Sequence, residues 1–515
     1  MVYVSAFAMP DKRQIKGKKM PKLLNRKACA RNALILVLIV WGALYLPNLS
    51  STPRWYGDET ITLACGQDLV KGLFANRAVW NTYVNPQFCY QPGYVFLVGL
   101  ASHLSGQEIG WPRLLNSLAA LGIALACIRL LGRRFGVTTG VLIALLFLSY
   151  EQAVIHFRWV YAHNATALGL FLCFCFQCLR PNFRRYWQSG AGLAVAAVSH
   201  PLALHGGIAA FLNRWNRPSS WLPTFLPPLV AGVACLLPIF LWNFGWWWSD
   251  LQDLRDFYAG FTRELGAGWQ WPVNFFRFCS HDWFHLLAGI ALFPCLLSSA
   301  RPLAVAALVL VALLTQNRQN LPVFYYQAVV ALPLLAACFG YALMWVRRKF
   351  FRRWPWTRWV PFLIPGLMVG LVAPKVWSSS LVSRNDPWVV RSVSDHLRTA
   401  EWLNQNSRPE DFVICHWNIG WRLKAQSADP MMCVAWDGLP TFTYEKGLPR
   451  ERFRYPADAR KARYFVLTDI DRIWTLGQPN VAILFNEQTL SGYVPVYQSG
   501  TCLILQSPTP APAAP

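Results

Sequence analysis

Charge is what this sequence has least of. Asp, Glu, Lys and Arg make up 14% of the 515 residues, against about a quarter in an ordinary soluble domain. Meanwhile 55% of the residues are hydrophobic. Such a chain cannot cover its apolar mass with polar surface, which excludes an ordinary soluble globular protein. Acid is scarcer than base: 24 Asp and Glu stand against 48 Lys and Arg, for a net charge of +24. In a soluble domain that excess would suggest nucleic acid. Here the bases sit in short clusters between apolar runs, as the positive-inside rule requires. Membrane lipid is therefore an expected partner and nucleic acid is not. The 14 cysteines lack zinc-like spacing. Cys173, Cys175 and Cys178 fall inside an apolar run, where Cys acts as a small hydrophobe. No small-residue cleavage site follows the basic stretch from Lys12 to Arg31, so the N-terminus reads as an uncleaved signal anchor. There is no glycine-rich phosphate loop near any candidate nucleotide site. Nor is there an internally repeated helix pattern of the kind transporters carry.

What the sequence has in abundance is long apolar runs. A helix needs about 20 mostly apolar residues to cross a bilayer. The candidates are Asn32–Leu49, Trp111–Leu131, Gly136–Ile155, Ala162–Leu179, Gln188–Ser199, Pro201–Leu212, Trp221–Phe244, Phe284–Ser299, Pro302–Thr315, Leu321–Val346 and Trp359–Trp377. The fold class expected is therefore a membrane-embedded, all-α polytopic bundle of about 11 spans, with a small α/β unit after it. The run Tyr90–Leu104 is short and holds Pro92 and Gly93, so it reads as an interfacial helix in the first outer loop. With that count, Arg133–Arg134, Arg180 to Arg185, Arg214 to Arg217, Arg301, and Arg347 to Arg358 all fall on the cytoplasmic side. Trp242, Trp246, Trp247, Trp248, Trp269 and Trp271 cluster where an interfacial belt would lie.

Four regions follow. Residues 1–31 form a basic cytoplasmic N-terminus, 32–380 the transmembrane region, 381–506 an extracytoplasmic α/β domain, and 507–515 a disordered Pro/Ala tail. In the third region Val393, Leu397, Ala400 and Leu403 recur at helical spacing. The segments 411–416, 463–467, 493–497 and 501–505 read as strands, and Gln498–Gly500 as a hairpin turn. The protein is expected to be integral and multi-pass, with a cytoplasmic N-terminus. Its membrane would be the bacterial inner (plasma) membrane, or the endoplasmic reticulum in a eukaryote.

Just beyond the first run stands "RWYGDETITLACG", with the acidic pair Asp58–Glu59. One account makes Asp58 the N-cap of a helix that starts at Glu59 and ends near Gly72. A second makes it a carboxylate at the mouth of a membrane cavity, placed to take a proton or hold a metal ion. The two are compatible.

The stretch "WYGDETITLACGQDLVKG", then "YQPGYVFLVGLASHLSG", then "WPRLLNSLAALGIALACIRLLGRRFG" resembles the polytopic C-type glycosyltransferases. Within them it is similar to the branch of the protein O-mannosyltransferases and the lipid A aminoarabinose transferase, the glycosyltransferase family 39-like proteins. The resemblance runs through "AGLAVAAVSHPLAL" (191–204) and returns more weakly in "RQNLPVFYYQAVVALPLLA" (318–336). It implies a glycosyltransferase, hexosyl or pentosyl, that moves a sugar from a polyprenyl or dolichyl phosphate to a lipid, glycan or protein acceptor on the extracytoplasmic face. Asp58 would be the general base and Glu59 its support or a metal ligand. A divalent metal ion is compatible with that chemistry, and no nucleotide cofactor is expected. The rivals are a transporter or lipid flippase and a non-catalytic membrane scaffold.

The sequence also departs from the family pattern. Where relatives carry an Arg followed by an Asp, "HFRWVYAHNATALG" keeps Arg158 but offers His163 and Asn164. Gln91 stands where relatives often have Lys. Arg158 is a candidate phosphate ligand or a snorkelling anchor, and Asn164 a hydrogen-bond partner for sugar or phosphate. Arg318, with Tyr325 behind it, is a second phosphate candidate. Glu151 reads as an intramembrane carboxylate, functional or paired with Arg158. In "HDWFH", His281 and His285 sit at i and i+4 on one helical face, metal candidates in want of a third ligand. His200 lines a cavity or packs. Asp469 and Asp471 in "TDID" read as a solvated turn. Cys65 and Cys89 flank the first outer loop and could pair in an oxidising compartment.

Overall fold

The computed structural model describes residues 20–72, 92–106, 108–263, 270–315, 328–351, 353–354, 357, 359–381, 389–441, 448–473, 475–485, 490 and 492–508. Helices occupy the apolar runs. They span Met20–Tyr45, Gly110–Phe135, Val137–Ser149, Ala162–Cys178, Phe183–Ser199, Ala203–Arg214, Trp221–Arg263, Trp283–Leu296, Arg301–Thr315, Leu332–Phe350 and Val360–Trp377. Among the described residues, three stretches are long and apolar enough to cross a membrane: Gly110–Phe135, Pro218–Pro238 and Val360–Trp377. Six further apolar helices are shorter, and Pro92–Leu104 is one of them. On Val360–Trp377, Leu363, Leu367 and Leu371 line one face at 60–69% exposure, which water would not tolerate as a continuous stripe and lipid does.

Two boundaries differ from the periodicity. The run 136–155 is not one helix. It stops at Ser149, and Tyr150, in extended backbone, separates it from a short helix Glu151–His156. The helix from Trp221 continues to Arg263, through the Trp-rich stretch and 43 residues in all. That is about 65 Å at 1.5 Å per residue, roughly twice the hydrocarbon thickness. Polar residues such as Asp250 do not end a helix, because straight-chain propensity and packing carry it past the apolar part.

The bundle packs through small residues. The helix Gly57–Val70 crosses the helix Pro92–Leu104 where Gly66 meets Gly99. A Cβ on Gly99 would lie 2.1 Å from the Gly66 carbonyl. Only glycine at both positions lets the backbones approach this closely.

The C-terminal unit is a five-stranded sheet in the order β2-β1-β3-β5-β4, with β1 Phe412–Ile414, β2 Gln426–Ala428, β3 Tyr464–Leu467, β4 Val494–Ser499 and β5 Cys502–Gln506. β1 pairs parallel with β2 and β3, and the β4–β5 hairpin adds antiparallel. The hairpin turns through Gly500 at φ +53°, a region that favours glycine. β2 is three residues of Gln-Ser-Ala and has no alternating signature. Side chains alternate across the sheet. Val413, Tyr464 and Val466 pack with the helix Val393–Asn406. Phe412, Ile414 and Phe465 share the opposite core with Ile61, Cys65 and Val95 of the bundle. The sheet unit is thus sealed to the helix that carries Asp58.

Candidate active site

The loop after the first helix must satisfy its own backbone, and two buried arginines do this. Arg158 is fully buried. Its Nε donates to Thr52 O (2.9 Å), Nη1 to Leu44 O (2.7 Å) and Nη2 to Pro47 O. Arg113, also fully buried, donates through Nη1 to Leu49 O (3.0 Å) and Pro53 O (2.7 Å). Trp159 Nε1 adds a bond to Arg54 O at 2.8 Å. Buried carbonyls left unmet would each cost about 1–3 kcal/mol. Arg158 is therefore neither a snorkelling anchor nor a group turned towards a phosphate. The carbonyls of residues 44–52 take three of its nitrogens.

Glu59 closes the loop. Its Oε1 accepts from Arg113 Nε (3.0 Å) and Val160 N (2.8 Å), and its Oε2 from Arg113 Nη2 (2.7 Å) and Tyr56 N (3.0 Å). Four donors fill its lone pairs, and the carboxylate is fully buried. It has no capacity left for a metal ion or a proton in transit. The sequence offered a signal for Arg113, a charge in the first turn of an apolar span, since such a charge must find a partner. The partner itself lies 54 residues away.

The helix begins at Gly57 with Tyr56 as N-cap, so Asp58 is its second residue and not the cap. Glu59 takes the reciprocal role of meeting the N-cap backbone N–H. Asp58 is half-buried beside the helix N-terminus, whose dipole favours a carboxylate. The sheet unit grips the same turn. Trp417 Nε1 donates to Gly57 O (2.7 Å), Thr60 Oγ1 to Asn418 Oδ1 (2.5 Å) and Val390 N to Trp55 O (3.0 Å). Asp58 is thus held between a buried ion pair and a docked domain.

A row of rings leads away from it. Tyr56 lies 5.6 Å from Tyr161, Tyr161 lies 6.0 Å from His163, and His163 lies 4.3 Å from His200, centroid to centroid. Beside His200 lies a cavity of about 300 Å³ lined by Pro92, Val198, Pro201, Leu236, Trp247 and Leu251, an apolar wall. Asn164 is buried in a polar knot. Its Nδ2 donates to Asn116 Oδ1 (2.9 Å), His156 O (2.9 Å) and Trp159 O (3.0 Å), and Tyr94 OH donates to the same Asn116 oxygen. Asn164 Oδ1 meets no donor among the described residues.

Other sequence candidates fall elsewhere. Glu151 opens the short helix and pairs with Lys375, whose Nζ lies 2.8 Å from both oxygens, and not with Arg158. Both side chains are partly exposed. Arg318, Tyr325, Gln91 and Cys89 lie outside the described residues, so the Cys65–Cys89 pairing does too. Cys65 is buried.

His281 and His285 do not share a helix. Asp282 is the N-cap of the helix from Trp283, and its Oδ1 accepts from His285 N at 2.9 Å. His281 therefore stands before the helix, yet the rings come within 5.9 Å. His281, Asp282 and His285 form a group able to hold a metal ion, with ligand atoms all within 4.8 Å of one another. Asp282 is the third candidate ligand, which helical spacing could not supply.

Asp469 and Asp471 are buried, not a solvated turn. Asp469 accepts from Arg391 N (2.8 Å) and faces His396 Nε2 at 3.5 Å. Asp471 accepts from Thr468 N (3.0 Å) and Thr468 Oγ1 (2.7 Å). With His416 and Asp429 they collect at the carboxyl ends of the parallel strands β1, β2 and β3. Burial pushes the Asp429 carboxyl up to about 7 and that of Asp471 to about 6. For His396 burial acts downward, but the facing Asp469 carboxylate prevails and raises it to about 9. Burial holds His416 well below the ordinary imidazole range.

This architecture, a helical bundle whose first loop helix is capped by a small C-terminal sheet unit, is shared as a fold with several solved structures. ArnT from Cupriavidus metallidurans in the apo state is 14% identical, covers 93% of this chain and 98% of its own, and superposes with a TM-score of 0.60. The same protein bound to undecaprenyl phosphate gives 0.55 at the same identity and coverage. The oligosaccharyltransferase of Archaeoglobus fulgidus, tethered with an acceptor peptide containing the NVT sequon, is 12% identical, covers 91% of this chain and 73% of its own, with a TM-score of 0.53. At these identities the likeness is one of fold. No family model and no curated protein sequence matches the chain. The fold and the apolar helices make the chain an integral membrane protein.

Proposed function

We propose that this protein is a glycosyltransferase of the membrane that moves a sugar from a polyprenyl or dolichyl phosphate to an acceptor on the extracytoplasmic face, with Asp58 as general base. The observation that carries this is the setting of Asp58: half-buried on a helix start fixed by the Glu59–Arg113 pair and roofed by Trp417. Support comes from a fold shared with a transferase bound to undecaprenyl phosphate and with one tethered with an acceptor peptide.

The acceptor O–H or N–H gives its proton to Asp58 as its heavy atom bonds to the anomeric carbon. The bond from that carbon to the phosphate oxygen breaks, and the lipid phosphate leaves with the electron pair. Glu59 and Arg158 act as positioning residues that keep the loop in place. Arg318 and Tyr325 are left as the phosphate contacts, and Asn164 Oδ1 is an acceptor for a donor hydroxyl. The apolar cavity lined by Val198, Pro201 and Leu236 suits the isoprenoid chain. The basic end of the bundle, where Arg348 binds Phe135 O and Thr139, faces the cytoplasm, and the sheet unit lies on the other side.

The test is Asp58→Asn in protein purified with its lipid donors. Transfer is expected to fall by at least about 100-fold, the lower range for a general base, with thermal stability unchanged. Wild-type turnover in that variant would remove the mechanism. Wild-type protein that moves a lipid-linked sugar across vesicles without consuming it would remove the activity.

A further inference from the structure

We infer that His281, Asp282 and His285 form a binding site for a divalent transition-metal ion of the zinc class, at the same end of the bundle as Asp58. The turn between the helices Gln270–Cys279 and Trp283–Leu296 brings the three side chains together. Asp282 Oδ1 is tied to His285 N, which fixes the carboxylate against the His285 ring, with Nδ1 3.1 Å from Oδ1. His281 Nδ1 lies 3.7 Å from Asp282 Oδ2. Ligand atoms about 2.0–2.2 Å from one ion in tetrahedral array stand about 3.4 Å apart. One ligand atom from each residue lies within 4.8 Å of the other two, so binding requires the three to draw closer.

The donors decide the metal. Two imidazole nitrogens with one carboxylate oxygen suit zinc and its neighbours, whereas magnesium and calcium take all-oxygen sets. Among the described residues the ligands number three, the count of reactive rather than purely structural zinc sites. The His285 side chain is sealed in the protein, while that of His281 is 42% exposed, so the cluster is open on the His281 side.

Tyr150 supplies the support such a site needs. Its hydroxyl bonds Asp282 Oδ2 and so holds the carboxylate, and its ring stacks on Phe284 at 4.1 Å. Tyr150 is the residue that interrupts the apolar run 136–155. The break in that helix thus delivers a phenol to the cluster. On its exposed side a bound ion can take water or an anionic oxygen. The inference stands on these residues alone and does not depend on the proposed transfer reaction.

The experiment uses the full-length protein in detergent, stripped with chelator and titrated calorimetrically with zinc alone. Cobalt absorption in the visible range reports geometry. One equivalent of zinc per chain is expected, with a tetrahedral cobalt spectrum and no competition from excess magnesium. His285 is buried and its replacement could unfold the region, so the deciding variant is His281→Ala combined with Asp282→Asn. It should lose saturable binding while its thermal unfolding in the absence of metal stays near wild type. Tyr150→Phe should weaken binding about 10- to 100-fold, as loss of a ligand's hydrogen-bond partner does. Wild-type protein that takes up no stoichiometric zinc overturns the inference. So does zinc uptake that the double variant retains in full.

Discussion

The loop clamp around Glu59 and the acid–imidazole cluster at the end of the sheet both bury charge, and they do it in opposite ways. At the clamp every oxygen of Glu59 has a donor, and Arg113 meets two carbonyls besides. Charge stays because it is paired. At the sheet, Asp429 has its Oδ1 on Met431 N at 2.7 Å and Met432 N, while its Oδ2 has no donor among the described residues. Its carboxyl is pushed up instead. A buried ionisable group either finds partners or surrenders its charge. The clamp is thus saturated with partners, and the sheet cluster holds groups whose protonation is displaced. Asp58 lies between them.

The largest expected effect breaks the clamp. Arg113→Met leaves Glu59 buried with two of its four donors lost, and should destabilise the protein by about 3–5 kcal/mol. Glu59→Met in the same chain should recover only the part due to the stranded charge, because the carbonyls of Leu49 and Pro53 and the N–H groups of Tyr56 and Val160 are then left unmet. Thermal unfolding in detergent measures both. A single variant costing under about 1 kcal/mol would erase the contrast, since that is the value of an exposed pair.

The second test separates the two regions by pH. His396 has an ordinary value of 6.5 and a folded value of about 9. Its contribution is complete below 6.5 and is lost as pH rises through 9. Asp429 and Asp471, raised to about 7 and 6, act in the same sense at lower pH. His416, lowered by burial, costs stability only as pH falls below 6.5. Between pH 7 and 9, therefore, the sheet unit should lose stability, at a slope of up to about 1.4 kcal/mol per pH unit for one proton. His396→Gln should flatten that slope. A profile unchanged by the substitution would assign the titration elsewhere.

A smaller effect tests the joint. Trp417→Phe removes the bond to Gly57 O and should cost about 1–2 kcal/mol, with turnover falling more than stability because the Asp58 turn loosens. Kinetics and unfolding on the same variant separate the two. The smallest effect is at Glu151–Lys375. Lys375→Met should change stability by less than about 1 kcal/mol, for both side chains reach solvent or headgroups.

Much of the fold was legible. Leu and Val runs mark helices because an apolar stretch has no other stable state in lipid, and Val393, Leu397, Ala400 and Leu403 mark the helix on the sheet. β2 was hidden, since Gln-Ser-Ala carries no period and is a strand only because β1 pairs with it. Within the site, Asp58 stood out by position, and its neighbour's role did not. Glu59 and Arg158 look like chemistry in a sequence because charge in an apolar chain is rare. Their partners are backbone atoms and an arginine far along the chain, which no local pattern records. His281 and His285 were legible as a pair, but that Asp282 both caps the helix and joins them depends on where the helix starts.

The sequence by itself determined the environment: too little charge to live in water, bases gathered between greasy runs, and one acidic pair after the first of them. These are properties of composition and order, and solvation free energy acts on them residue by residue. The tertiary structure alone decided which acid is a support and which stands at the edge of the fold. A carboxylate's chemistry depends on the donors within about 3 Å of it, and for Glu59 they come from positions 56, 113 and 160.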